Sequence, residues 1–309
     1  MHQVHRPDTP DHTEEFHFDF DLDHGRVLGR TGGRGHSGPV LYDGPVLWRA
    51  QDCPQGTATL RIRRTQRRAV VDAWGSGLQE ALASVPGLLG GADDPSRIVP
   101  RDPVVTRWAA RFRNHRMTRT GTVWEHLVPT VIGQKVPGAS AATSWQGVLD
   151  RWGRTPPGPV PAGLRLPPSS SLFAELVYHD MHDLNIERRR AETLIECARR
   201  AHRLEEAASM EGPASRRRLQ SVSGVGPWTA SIVCQLATGD PDSVIVGDYW
   251  LPSYVAWHLA GNPRADDRRM LDLLEPYRGQ RARVQAWAKA AGAPPRRGPR
   301  LPLVDIAGH

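Results

Sequence analysis

Hydrophobic and polar positions alternate with period two near the start of the chain and change to a helical period after residue 77. Phe16, Phe18, Phe20 and Leu22 alternate with His17, Asp19 and Asp21, the pattern of a half-buried strand. Strand-like runs follow near 38–48 and 57–64 and end near Val70–Trp74, broken by Gly and Pro, which predicts a small antiparallel sheet within 16–76. Beyond Gly77 the spacing predicts helices over 77–85, 104–113, 122–133, 140–152, 172–179, 187–207, 213–221, 226–237, 249–260, 268–275 and 279–290.

Two stretches carry neither period. Residues 1–15 are polar and rich in His, Asp and Pro, and read as a disordered tail whose histidines (His2, His5, His12) are solvated rather than metal-bound. Residues 155–171 contain Pro156-Pro157 and Pro167-Pro168 and read as a hinge loop between two groups of helices. No repeat of solenoid period is present. The expected architecture is α+β and mostly α: a small N-terminal β unit over 16–76, then a helical body over 77–309.

Composition narrows the function. The 309 residues are 39% hydrophobic and carry a net charge of +7. No run of 18 apolar residues occurs, so a membrane span is not expected, and the first residues lack the apolar core of a signal peptide. Cys53, Cys197 and Cys234 are far apart and form no CxxC pair, which disfavours a disulfide framework, a zinc ribbon and a four-cysteine iron–sulfur cluster. A reduced, cytoplasmic protein is expected. Only Lys135 and Lys289 are lysines among 40 basic residues, as a GC-rich genome would produce. The arginines cluster at 61–68, 188–190, 216–218 and 296–300, the electrostatic footprint of a phosphate-backbone binder. No GxxxxGK[ST] motif is present, so nucleotide hydrolysis is not implied.

The most specific local feature is Leu219-Gln220-Ser221-Val222-Ser223-Gly224-Val225-Gly226-Pro227-Trp228-Thr229-Ala230. It predicts a helix ending near Ser221, a tight Gly-Val-Gly turn and a second helix starting at Pro227. Glycines let an outside group approach the turn's amides, and the new helix brings the positive end of its dipole, so a phosphate oxygen fits there. Gly-x-Gly alone also suits an ordinary helical corner. Downstream, the apolar run Val244-Ile245-Val246-Gly247 leads to the lone acid Asp248, followed by helix-like Tyr249–Ala260. An acid before a helix is commonly an N-cap, and a cap can also serve as a catalytic carboxylate.

These segments, together with Trp124-Glu125-His126-Leu127-Val128-Pro129-Thr130-Val131-Ile132-Gly133-Gln134-Lys135, resemble the helix–hairpin–helix DNA glycosylases, in particular the AlkA-like 3-methyladenine DNA glycosylase II branch. The resemblance spans roughly 16–290 and implies a two-lobed helical body. It also implies a base-flipping N-glycosyl hydrolase of base excision repair, with alkylated purines of the 3-methyladenine and 7-methylguanine type as substrates. Asp248 then stabilises the oxocarbenium-like sugar and orients water. Bifunctional members carry a nucleophilic Lys where this chain has Trp228, so a monofunctional enzyme is implied.

Trp228 matches the family's pocket tryptophan, and Tyr249, Trp250, Trp124 and Trp287 are further pocket candidates. An indole face suits a cationic base. Candidate DNA contacts are Gly224, Val225, Gly226 and Thr229 of the hairpin, Gln134 and Lys135 at the place of the family's wedge, and Arg188, Arg189, Arg190 and Arg216. Lys135 departs from the apolar residue common in that branch, and Pro252 is a second departure. The implied partner is double-stranded DNA with damaged bases, bound by a nucleoid-associated monomer without metal or cofactor. Two alternatives stay open: a glycosylase for deaminated or oxidised bases, and a non-catalytic DNA-binding protein.

Overall fold

A computed structural model describes residues 9–22 and 38–295. His2, His5 and the arginines at 296–300 lie outside the described residues. Five antiparallel strands, β1 (His12–His17), β2 (Val40–Asp43), β3 (Val46–Cys53), β4 (Gly56–Arg64) and β5 (Arg68–Trp74), form one sheet in the order β1-β5-β4-β3-β2. The first strand begins earlier than the alternation suggests. Residues 12–15, expected in a disordered tail, pair with β5 in a register that sets Phe16 opposite Ala69. Phe18 and Phe20 lie beyond the strand and pack edge to face at 5.3 Å, and isolated backbone bonds, such as Phe18 N–H to the Arg67 carbonyl, replace the ladder there. Their alternation is met by burying rings rather than by extending a ladder.

One face of the sheet packs Leu47, Leu60, Ile62 and Val71 against Ala81, Leu82, Val85 and Leu88 of α1 (Leu78–Leu88). The other face packs Trp48, Ala50 and Trp74 against Leu164 and Leu166. The stretch 155–171 is therefore a cover on the sheet and not a free hinge. Leu164 and Leu166 are fully buried, contributing about 1.5–3 kcal/mol each. Single bridges join Leu164 to Gly38 and Leu166 to Arg154. A proline-rich segment has few N–H groups to satisfy, so it can lie on a sheet without a full ladder.

Among the described residues twelve further α-helices follow: α2 (Pro103–Arg111), α3 (Trp124–Ile132), α4 (Gly138–Trp152), α5 (Ser170–Glu175), α6 (Tyr178–His182), α7 (Arg188–Arg199), α8 (Ala201–Glu205), α9 (Gly212–Leu219), α10 (Pro227–Thr238), α11 (Leu251–Ala260), α12 (Asp267–Leu274) and α13 (Arg281–Ala291). The helix expected over 187–207 is broken at Arg200, whose N–H bonds the Cys197 carbonyl in a tightened turn. Two separate cores divide the body into lobes. Leu127, Val131, Leu194, Leu219 and Val233 belong to the first, built from α3 to α10. Val105, Trp108, Val255, Met270, Leu274 and Trp287 belong to the second, built from α2 and α11 to α13. The chain thus starts the second lobe at α2, completes the first, and returns after α10, where Gly239 (φ 71°) ends the helix in the left-handed conformation.

All three cysteines are free. Cys197 and Cys234 are packing residues of the first core, and burial pushes the Cys197 thiol up to about 12. No helix of the described residues is long and apolar enough to cross a membrane.

Candidate active site

The hairpin joins α9 to α10. Leu219, Val222, Val225 and Ala230 are buried between the two helices, and Val225 N–H closes the turn on the Val222 carbonyl at 3.1 Å. The two glycines serve different needs. Gly224 adopts φ 89°, and a Cβ there would sit 2.1 Å from Thr193 Oγ1 of α7. At Gly226 a Cβ would meet nothing within 4 Å, so the turn's outer side is open to an approaching group. Among the described residues the N–H groups of Gly224 and Gly226 have no hydrogen-bond partner. Free amides at the start of α10 suit a phosphate oxygen.

The Gln134 amide donates to the Gly224 carbonyl at 2.9 Å and to Thr229 Oγ1 at 2.8 Å. Gln134 and Thr229, both candidate DNA contacts, are thereby engaged with each other, and Thr229 is buried. Their side chains brace the turn instead. Lys135, next in sequence, is exposed and holds φ 57°, a left-handed conformation uncommon outside glycine and asparagine. The Val225 side chain is core, which leaves only its backbone for a ligand.

The arginine candidates divide by burial. Arg190 is 4% exposed and donates to the carbonyls of Ile132 (2.5 Å) and Asn185 (3.0 Å); it pins α7 to the end of α3 and cannot reach a phosphate. Arg216 is half-buried and paired with Asp240 at 3.1 Å. Arg188 and Arg189 are exposed, Arg188 lying 4.6 Å from the centre of the Tyr178 ring. A groove of about 580 Å³ runs from Ser223 and Gly224 past Arg188, Arg189 and Arg199.

Asp248 stands at the start of α11, half-buried. Its Oδ1 accepts from the N–H groups of Trp250 (2.8 Å) and Leu251 (2.9 Å), as a helix-capping acid does. The indole N–H of Trp228 donates to Oδ2 at 3.3 Å. A hairpin residue of the first lobe thus touches the acid of the second, and three donors fix the carboxylate's orientation. Two residues outside the sequence-derived set hold its approach. Gln285 of α13 clamps Ile245 through both its amide atoms, each at 2.9 Å. Asp267 accepts from Gly247 N–H at 2.7 Å and holds that glycine at φ 76°. Gln285 lies beside the apolar positions Val284, Trp287 and Ala288, the one signal that could have marked it as inward-facing.

Beside the acid opens a cavity of about 300 Å³, lined by Asp248, Trp250, Leu251, Tyr254, Lys289, Ala293 and Pro294, at the small end of ligand sites. Trp250 belongs to its wall. Tyr249, 59% exposed, packs edge to face on Trp250 at 4.8 Å and lies outside the lining. Trp124 and Trp287 are core residues, not wall. The Trp124 indole donates to the Pro168 carbonyl at 2.8 Å and its ring packs on Phe173. Trp287 is 1% exposed and stacks on Phe112 at 6.2 Å. Helical spacing with apolar neighbours drew both inward. Pro252 falls in the first turn of α11, where it costs no hydrogen bond.

No family model matches the sequence. A curated relative, the "Putative DNA-3-methyladenine glycosylase YfjP" of Bacillus subtilis (strain 168), is 28% identical over 121 residues, 36% of this chain. The chain spans about two fifths (41%) of that relative's length. A 3-methyladenine DNA-glycosylase from Archaeoglobus fulgidus has a similar structure, with a TM-score of 0.73 at 18% identity, over 89% of this chain and 96% of that one. An 8-oxoguanine glycosylase/lyase of Clostridium acetobutylicum, in complex with DNA, follows at 0.59 and 16% identity, over 78% and 86%. At such identities the likeness is one of fold, and the chain shares the fold of these two glycosylases.

Proposed function

We propose that the chain is a monofunctional DNA glycosylase of base excision repair that releases alkylated purines from double-stranded DNA. The observation that carries this reading is the contact between Trp228 and Asp248, which couples the element suited to gripping a phosphate to the group suited to the chemistry. The hairpin amides take a backbone phosphate, and a nucleotide is flipped toward Asp248 at a cost of a few kcal/mol. As the glycosidic bond breaks, the sugar gains positive charge, which the fixed carboxylate stabilises while orienting the attacking water. Trp228 stands where a lyase of this fold would carry its nucleophilic Lys, so water completes the reaction and leaves an abasic site. The Trp250 indole in the cavity wall favours a cationic base, Trp228 touching the acid without being part of that lining.

A second reading, release of oxidised or deaminated bases, draws support from the fold shared with the Clostridium enzyme. Free-base release from methylated duplex DNA, compared with deaminated and oxidised DNA, separates the two. Release of 3-methyladenine and 7-methylguanine is the expected result, and no base release from any of these DNAs would refute both readings.

The neighbouring arginines Arg189 and Arg190 should behave in opposite ways. Arg189→Ala should lower the slope of log K against log salt by about 0.9, the loss of one phosphate contact, with stability unchanged. Arg190→Ala should leave the slope intact but destabilise the fold by about 1–3 kcal/mol for each buried carbonyl left unpaired. Salt titrations of duplex binding and urea melts of both variants test the assignment; equal slopes in Arg189→Ala and the parent would remove Arg189 from the interface.

A further inference from the structure

The cavity beside Asp248 contains a second charged group that release of a cationic purine does not require. Lysine is nearly absent from this chain, Lys135 and Lys289 being the two among 40 basic residues. One follows Gln134, which braces the hairpin, and the other lines the cavity with Asp248. Lys289 lies in the last turn of α13, is exposed, and has no ion-pair partner among the described residues. Charge alone is supplied by arginine everywhere else. An ammonium, unlike a guanidinium, can give up its proton.

We propose that Lys289 is a general acid for neutral leaving bases, giving a proton to N3 or N7 of an uncharged purine such as hypoxanthine as it departs. The inference rests on the glycosylase reading above. A purine alkylated at N3 or N7 is already cationic; when C1′–N9 breaks, the bonding pair passes to the base and it departs neutral. An unmodified ring would depart as an anion. Transfer of a proton from Lys289 Nζ to N3 or N7 during cleavage lets it leave neutral as well. Water adds to C1′, its proton passes to the Asp248 carboxylate, and solvent carries that proton from the carboxyl back to the amine. Atoms and charge balance without another reagent.

A positioned general acid contributes about 10²–10⁴-fold. Single-turnover release by the full chain on a hypoxanthine duplex and on a 7-methylguanine duplex tests the role. Lys289→Met and Lys289→Arg should each lose about 100-fold more on hypoxanthine than on 7-methylguanine. The exposed position keeps both variants folded, which matching melting temperatures check. Equal loss on both substrates would assign Lys289 to DNA binding and overturn the proposal. Full hypoxanthine release by Lys289→Arg would overturn it too, since charge would then suffice. A parent protein that releases 7-methylguanine but no hypoxanthine also overturns it and leaves the glycosylase reading standing, whereas release of neither base refutes that reading itself.

Discussion

Asp248→Asn should bind duplex DNA within about twofold of the parent protein and release base at least ~10³-fold more slowly. The substitution is nearly isosteric. An asparagine carbonyl can still accept from the Trp250 and Leu251 N–H groups that Oδ1 now holds, and Asn caps a helix about as well as Asp. The start of α11 and the cavity wall should therefore survive. What is lost is the negative charge facing the developing sugar cation, together with the acceptor for a water proton. The side-chain NH₂ would also face the Trp228 indole N–H, donor against donor, where Oδ2 now accepts. A preorganised electrostatic group is worth about 10²–10³-fold and a general base about 10²–10⁴-fold, so a loss of ~10³ is a modest expectation for one residue in both roles. Single-turnover base release at saturating enzyme, beside a binding titration at fixed salt, reads the two quantities separately. Release at the parent rate would take Asp248 out of the chemistry.

Features written in local chemistry were legible in the sequence. The hairpin follows from glycines at 224 and 226 with Pro227 at a helix start, and Asp248 follows from an acid placed before a helix. Features set by rotation about a helix were harder to read. Arg188, Arg189 and Arg190 form one run, yet each is turned about 100° from the last, and only Arg190 falls beside the buried stripe of Ala191, Leu194, Ile195 and Ala198. That stripe was present in the sequence and could have separated the three. Trp287 yields to the same argument, since Val284 and Ala288 share its buried face. Partner choice across the chain left no such signal. Nothing near Phe16 states that β1 starts at His12, because the ladder partner is β5, more than fifty residues on. Nor does the composition of 155–171 disclose that two leucines among prolines would cover a sheet.

The anchor between the sheet and the first lobe should fail in a different manner from the catalytic acid. Arg49 of β3 and Glu125 of α3 meet at 2.8 Å with side chains 1% and 6% exposed. Gln51 accepts from Arg49 at 2.8 Å, and His126 lies 3.0 Å from the same carboxylate. Burial pushes the Glu125 carboxyl up, but Arg49 and His126 beside it outweigh burial and hold it well below the usual carboxylate range. Glu125→Gln would leave a buried guanidinium without its anion, a loss of about 3–5 kcal/mol at neutral pH. Because the folded-state pKa is depressed, the pair's contribution is present above the unfolded value near ~4.3 and is lost as pH falls below it. Urea melts at pH 7 should therefore separate Glu125→Gln widely from the parent, and melts taken progressively below about pH 4 should bring the two together. The double variant Arg49→Met/Glu125→Leu should recover most of the loss at pH 7, since an apolar pair of similar volume removes both desolvated charges. A Glu125→Gln protein as stable as the parent at pH 7 would show that the pair does not hold the sheet to α3. The anchor matters to the site because α3 runs directly into Gln134 and Lys135, so base release by Glu125→Gln should fall only as the fold melts, while Asp248→Asn stays folded and inactive.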